Sequence, residues 1–253
     1  MITVKQWNDF TDTKKNIREF DDYFTNENVV NSLKKDLSVM DIDWTYAVQH
    51  GVAFNTMLNF SLQNKNKKLK VLDVGSQFNF VLYSSVLFDM TCLDPRAMQF
   101  NCHIPGCFQI KSIKGEAQKI NTPDKSFDIV TSLHAIEHFG LGRYGDTLDY
   151  YGDQKGLREF HRILKPGGYL VTSVPTNSTS RIRFNGERNY KPGDFDSMLD
   201  AAGFEKADSL ILFHPGANKE NILMSREPAI LDDYPQNSTR PVYFVISKKK
   251  MML

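Results

Sequence analysis

The segment Ser132–Asp146, SLHAIEHFGLGRYGD, gathers His134, Glu137 and His138 within five residues. Two imidazoles and a carboxylate at this spacing fit two chemistries. On a long helix, H-x-x-E-H is a zinc-ligand pattern with an acid between two nitrogen donors. Without a metal, a neutral imidazole can take a proton near pH 7 while the carboxylate orients it. The zinc reading needs a rigid helical face. Gly140, Gly142 and Gly145 follow at once, so a helix that starts here stops almost immediately. The preceding run, SFDIVTSL, reads as a buried strand and places His134 at its carboxyl end. His134, Glu137 and His138 are therefore expected as catalytic residues, with no metal ligand among them.

The elements that must position this trio begin at Leu69. Short apolar runs there alternate with helical patterns, the mark of a parallel sheet with crossover helices. LKVLDVG, MTCLDP, FQIKSI, SFDIVTSL and YLVTSVP read as five strands; FEKADSLILF and PVYFVISK read as two more. NFVLYSSVLF, DQKGLREFHRIL and DFDSMLDAAGF read as helices, and KPGG as a turn before the fifth strand. The expectation is an α/β chain: a three-layer Rossmann-like fold with a mainly parallel seven-stranded sheet over residues 69–253. Residues 1–68 are polar, with helix-like patches at VVNSLKKDLSVM and WTYAVQHGVAFNTMLNFSL, and are expected as a helical N-terminal cap.

Composition bounds the partners. The 253 residues are 41% hydrophobic and 24% charged, as in an ordinary globular chain. A formal net charge of +1 argues against a dedicated nucleic-acid binder. The start, MITVKQWNDF, has no apolar leader, and no window approaches a membrane span, so a cytoplasmic protein is expected. Cys92, Cys102 and Cys107 include no C-x-x-C pair; they read as free thiols and not, with His103, as a zinc site.

Four motifs stand in order along residues 69–248: VLDVGSQFN, CLDP, GEAQKINTPDKSFDIVTSL and HRILKPGGYLVTSVP. In that order and spacing the chain resembles the class I methyltransferases that use S-adenosylmethionine. The resemblance implies cofactor-binding residues Asp73, Gly75, Ser76, Asp94, Pro95, Glu116, Ala117, Ser132 and Leu133. The physics agrees, since ligands of open parallel sheets bind beyond the strands' carboxyl ends. Asp94 can accept both ribose hydroxyls, Asp73 can organise the first loop, and Glu116 or the Ala117 backbone would face the adenine. The loop departs from the usual pattern at Gln77 and Asn79, where glycines are common. A nicotinamide dehydrogenase would need G-x-G-x-x-G, which GSQFNF does not supply.

The piece EHFG also resembles an active-site segment of cyclopropane-forming methyltransferases. The longer run HAIEHFGLGRYGDTLDYYGDQKGLREFHRILKPGG, with RIRFNGERNY, is similar to an uncharacterised methyltransferase-like branch found beside bacterial surface-polysaccharide genes. That resemblance implies a small glycan-related acceptor, and with histidine as a base and arginines for an anion the expectation is O-methylation of a small sugar-like or phosphorylated acceptor. Arg181, Arg183 and Arg188, near Asn185 and Tyr190, form a candidate anion clamp, with Tyr144 as a further substrate contact. A methyltransferase-like binding partner without catalysis is the alternative, kept open by the glycine-poor loop.

Overall fold

The structure, a computed structural model, describes residues 44–64, 68–95, 110–183, 186–213, 223–231 and 241–251. Strand β1 (Lys70–Val74) is the centre from which the sheet is built. It pairs in parallel with β2 (Asp89–Asp94) on one side and with β4 (Phe127–Leu133) on the other. Parallel neighbours β3 (Lys111–Lys114) and β5 (Leu164–Pro175) extend the two flanks. Beyond β5 lie β10 (Val242–Lys249), β8 (Phe204–Phe213) and β9 (Leu223–Ser225), each antiparallel to its neighbour. The order is β3-β2-β1-β4-β5-β10-β8-β9. The seven expected strands are all present; the sequence missed β9, whose three residues add an eighth strand at the edge, and a separate hairpin of β6 (Arg181–Arg183) and β7 (Glu187–Asn189). Strands this short carry too few residues to show a period.

The alternation along β1 explains the layers. Val71 points into one apolar cluster with Met90, Phe80 and Met57, and Leu72 into the other with Phe160, Ile163 and Phe195. Helices α1 (Trp44–Gln63) and α2 (Phe78–Ser84) supply the first cluster; α3 (Gly152–Ile163) and α4 (Pro192–Ala201) supply the second. Pro192 opens α4, and Gly203, with φ of +91°, follows its C-cap. The KPGG turn does not precede β5 but bulges within it, between the pairs Phe127↔Leu164 and Ile129↔Tyr169. None of the described helices is long and apolar enough to cross a membrane.

Of the expected N-terminal cap, residues 44–63 form α1, which lies on the sheet as part of its own layer. Phe60 stacks on Tyr169 with ring centres 3.8 Å apart, and Gln49 accepts the Ser173 hydroxyl at 2.5 Å. The earlier patch VVNSLKKDLSVM, and Cys102, His103, Cys107 and Asn185, lie outside the described residues. Cys92 is buried and its thiol is held unionised by burial.

Candidate active site

The parallel strands β1, β2, β3 and β4 end on one side of the sheet, and a cleft opens there. Gly75, Leu93, Asp94 and Pro95 line one part of it, and Gly115 to Gln118 continue that wall. His134, His138, Phe139, Tyr144 and Asp146 line the opposite part. The expected cofactor residues fall into two groups. Gly75, Asp94, Pro95, Glu116 and Ala117 face the cleft. Asp73, Ser76, Ser132 and Leu133 stand behind it and stitch β1 to β4: Asp73 accepts from the Ser76 amide at 3.1 Å and the Thr131 hydroxyl at 2.7 Å. Ser76 Oγ accepts the Leu133 amide at 3.0 Å, and Ser132 Oγ donates to the Val74 carbonyl at 3.1 Å. Burial pushes the Asp73 carboxyl up to about 6, against the two hydrogen bonds that favour its charged form.

One glycine suffices in the first loop because of how close the next layer comes. Gly75 has φ of +74°, and a Cβ there would lie 2.9 Å from that of Ala135. Backbone alone fits at that point, whereas positions 77 and 79 tolerate side chains because α2 begins at Phe78.

His134 and His138 share the cleft for a different reason from the one their spacing suggests. Only Ile136–His138 form a single 3-10 turn, while His134 precedes it with φ of +54°. That left-handed backbone is held by the Ser173 carbonyl at 3.0 Å and the Ser173 hydroxyl at 3.2 Å, both accepting the His134 amide. Glu137 is 1% exposed, and its Oε1 lies 3.0 Å from His134 Nδ1. A carboxylate only accepts, so Nδ1 carries the proton and the lone pair is left on Nε2. His138 Nδ1 instead donates to the Gly186 carbonyl at 2.7 Å, and its Nε2 is 3.8 Å from Glu137, beyond hydrogen-bond reach. Glu137 and His134 thus form a dyad, and His138 is anchored apart from it. On the far side, Tyr46 of α1 packs 5.2 Å from the His134 ring, and burial, with the nearby His134, lowers His50 to about 4.

The arginine clamp is not assembled as expected. Arg188 is 3% exposed; it donates to the carbonyls of Phe139 at 2.6 Å and Tyr150 at 2.9 Å and pairs with Asp153 at 3.3 Å. Tyr190 is buried too and donates its hydroxyl to Asp153 at 2.9 Å. Arg188 is used up in clasping the loop 139–151 and Tyr190 in holding Asp153 at the start of α3, because the β6–β7 hairpin folds back under the loop. Arg181 is exposed on β6, beside Thr179, and Arg183 lies on the same strand. Tyr144 does line the cleft, edge-on to His138 at 5.4 Å, with Arg143 over its ring at 5.7 Å.

The sequence reading missed Asp146, Asp153 and Gln118. Asp146 accepts the amides of Gly140 at 2.7 Å and Tyr144 at 3.2 Å, and so shapes the loop; an acid just after three glycines was its signal. Asp153 and Gln118 had none. The loop closes on itself at bare backbone: a Cβ on Gly152 would lie 2.6 Å from the Phe139 carbonyl oxygen, and one on Gly140 would collide with that of Asp149.

Comparison with known proteins places this architecture among the class I methyltransferase folds. The structure of Burkholderia thailandensis 1,6-didemethyltoxoflavin-N1-methyltransferase, with S-adenosylhomocysteine bound, matches 92% of this chain and 90% of its own, at 14% identity and a TM-score of 0.55. The cyclase SpnF matches 73% of this chain and 75% of its own, at 18% identity and a TM-score of 0.53, so the fold alone does not fix the reaction. In sequence, a Mycolicibacterium smegmatis protein named "Probable S-adenosylmethionine-dependent methyltransferase" is 28% identical over 110 residues, 40% of this chain and 37% of the relative. The chain thus spans little more than a third of that relative's length. The family model described as "Caenorhabditis protein of unknown function, DUF268" matches residues 108–226.

Proposed function

We propose that the protein is an S-adenosylmethionine-dependent O-methyltransferase acting on a small hydroxyl-bearing acceptor. The observation that carries this reading is one cleft lined by Gly75, Asp94 and the turn Gly115–Gln118 on one side and by His134, of the His134–Glu137 dyad, on the other. When bound, the sulfonium supplies an already activated methyl group. The chain's own task is then to hold it, align the acceptor and keep water out. Asp94, buried at the tip of β2, suits the ribose hydroxyls, and the bare backbone at Gly75 suits close approach of the methionine moiety. His134 Nε2, with its lone pair fixed by the Glu137 contact, accepts the acceptor's hydroxyl proton as the oxygen becomes a nucleophile.

A sugar-like or phosphorylated acceptor, as in surface-polysaccharide synthesis, is the narrower form of the proposal. Its support is the family resemblance together with exposed Arg143 beside Tyr144 at the cleft. Calorimetry with S-adenosylmethionine and S-adenosylhomocysteine tests the first part, and transfer of a labelled methyl group to a panel of sugars and sugar phosphates tests the second. Both cofactor forms should bind, and label should pass to a hydroxyl oxygen. Absence of binding would remove the enzyme reading; label found on nitrogen or carbon would remove the oxygen assignment.

A further inference from the structure

The proposed base, His134, hangs from a backbone that its own residue type disfavours. A left-handed φ of +54° on a residue with a Cβ persists only where the surroundings hold it. Part of the hold is the sheet: Leu133 and Ser173 are register partners of β4 and β5, and the Ser173 carbonyl accepts the His134 amide at 3.0 Å. The rest comes from the Ser173 hydroxyl, which accepts the same amide at 3.2 Å. A hydroxyl has one proton to give. Here it goes to Gln49 Oε1 at 2.5 Å, which leaves a lone pair for His134. Gln49 and Ser173 are both fully buried, so water does not compete for that proton. Gln49 belongs to α1, and Tyr46, three residues earlier, packs its ring 5.2 Å from the imidazole. The helix therefore reaches His134 twice, at the ring through Tyr46 and at the backbone through Gln49 and Ser173.

We infer that Gln49 is a positioning residue for the base: by orienting the Ser173 hydroxyl it keeps His134 left-handed, and with it the Glu137 contact that leaves the Nε2 lone pair for an acceptor's proton. The inference rests on the proposed role of His134. Gln49 is not among the residues that line the cleft, so it acts only through Ser173. Without an acceptor at position 49 the Ser173 proton is free to turn toward the His134 amide, where donor meets donor. The amide then keeps the carbonyl alone, and the backbone relaxes out of the left-handed region. His134 Nδ1 and Glu137 Oε1 meet at 3.0 Å across only three residues, so that rotation carries the ring away from its carboxylate. Nδ1 loses the partner that fixes its proton, and the lone pair no longer stays on Nε2.

The test reads the tautomer of His134 by nitrogen-15 NMR of the full chain with labelled histidine, at about pH 8.5, where imidazoles are neutral. His134→Ala identifies its signals among those of the six histidines. In the native protein the proton should sit on Nδ1. Gln49→Met keeps the length of the side chain and removes the carbonyl; it should abolish the Nδ1–H form as the main state, while S-adenosylhomocysteine affinity stays at the native value. Gln49→Glu, which still accepts from Ser173, should keep the native tautomer. Ser173→Ala should shift the tautomer as Gln49→Met does, and Gln49→Met added to it should have no further effect, because the link is already cut. A native tautomer in Gln49→Met, or an undiminished effect of Gln49→Met in the Ser173→Ala background, would overturn the inference. If Gln49→Met does not fold, Ser173→Ala alone decides, and a native tautomer there overturns it equally. A native protein with the proton on Nε2 would overturn instead the reading of His134 as the base.

Discussion

At the residue scale, the cleft's two histidines are unequal. His134 leaves Nε2 with a lone pair because Glu137 holds the other nitrogen, whereas His138 is anchored by the Gly186 carbonyl. His134→Ala is expected to lower turnover by about 10²–10⁴-fold while S-adenosylhomocysteine affinity stays within a factor of a few; His138→Ala should cost less. Equal losses in the two variants would remove the distinction. Two titrating groups behind the site, buried Asp73 and half-buried His50, act on stability with opposite sign. Asp73, raised to about 6, stabilises the fold below its unfolded pKa, and that contribution disappears as pH rises to about 6. His50, lowered to about 4, stabilises above its unfolded pKa, and that contribution disappears as pH falls toward 4. The Asp73 contribution is on the order of 3 kcal/mol; that of half-buried His50 is smaller because solvent screens it, and the two act against each other between about pH 4 and 6. Asp73→Asn should therefore steepen the loss of stability on acidification through this window, and His50→Gln should flatten or invert it. Denaturant titrations of both variants at several pH values check this; parallel profiles would show that the two groups are not the source.

At the element scale, the β6–β7 hairpin acts through the loop that it underpins. Arg188 bonds to backbone at both ends of the loop 139–151 and to Asp153 at the start of α3. Replacing Arg188 by Met leaves Asp153 buried without its cation, and is expected to destabilise by about 3–5 kcal/mol. Lys should not rescue it, since one ammonium cannot reach several carbonyls in a fixed fork. Arg181→Ala, on the exposed face of the same hairpin, should change stability by less than about 0.5 kcal/mol. Chemical unfolding of the three variants separates the roles, and equal effects at 181 and 188 would undo the assignment. This pair also shows where sequence reasoning stops. Arg181, Arg183 and Arg188 look alike in RIRFNGERNY, and only the return of β7 beneath a loop some forty residues earlier buries one of them. By contrast, Gly75 and Asp94 were legible because a strand's carboxyl end is marked locally, by an apolar run and what ends it. The left-handed backbone at His134 was illegible for the opposite reason: it is imposed by Ser173 on the neighbouring strand, not by its own residue type.

At the scale of the whole molecule, the five parallel strands and the antiparallel β8 and β10 were readable as strands, while β9 was not, because it has three residues and meets β8 only through tertiary pairing. The ligand should couple to the stability of the entire sheet, since β1, β2 and β4 all end at the cleft. S-adenosylhomocysteine at a hundred times its Kd is expected to add about 2.7 kcal/mol, raising the melting temperature by roughly 5–10 °C for a chain of this size. Asp94→Ala should abolish most of that rise at the same ligand concentration without altering the melting temperature of the free protein by more than a degree or two. A full shift in the variant would remove Asp94 from the nucleoside site.

The backbone crossing at Gly140 and Gly152 bears on how such a protein can change over generations. A loop pinched shut at its neck confines alterations to itself, and here its further anchor, Arg188, grips carbonyls that every residue type possesses. The exposed side chains of Tyr144, Leu148, Tyr150 and Tyr151 can thus be rewritten while the scaffold stays as it is. On the proposed function, the stretch is an exchangeable cassette, in which one lineage can drift toward a new acceptor and another toward its neighbour while the strand ends across the cleft stay as they are. A library randomised at those four positions is expected to retain near-native melting temperatures and cofactor affinity in most members, and to differ among members in the acceptors they methylate. Widespread unfolding in such a library would show that the cassette is part of the scaffold.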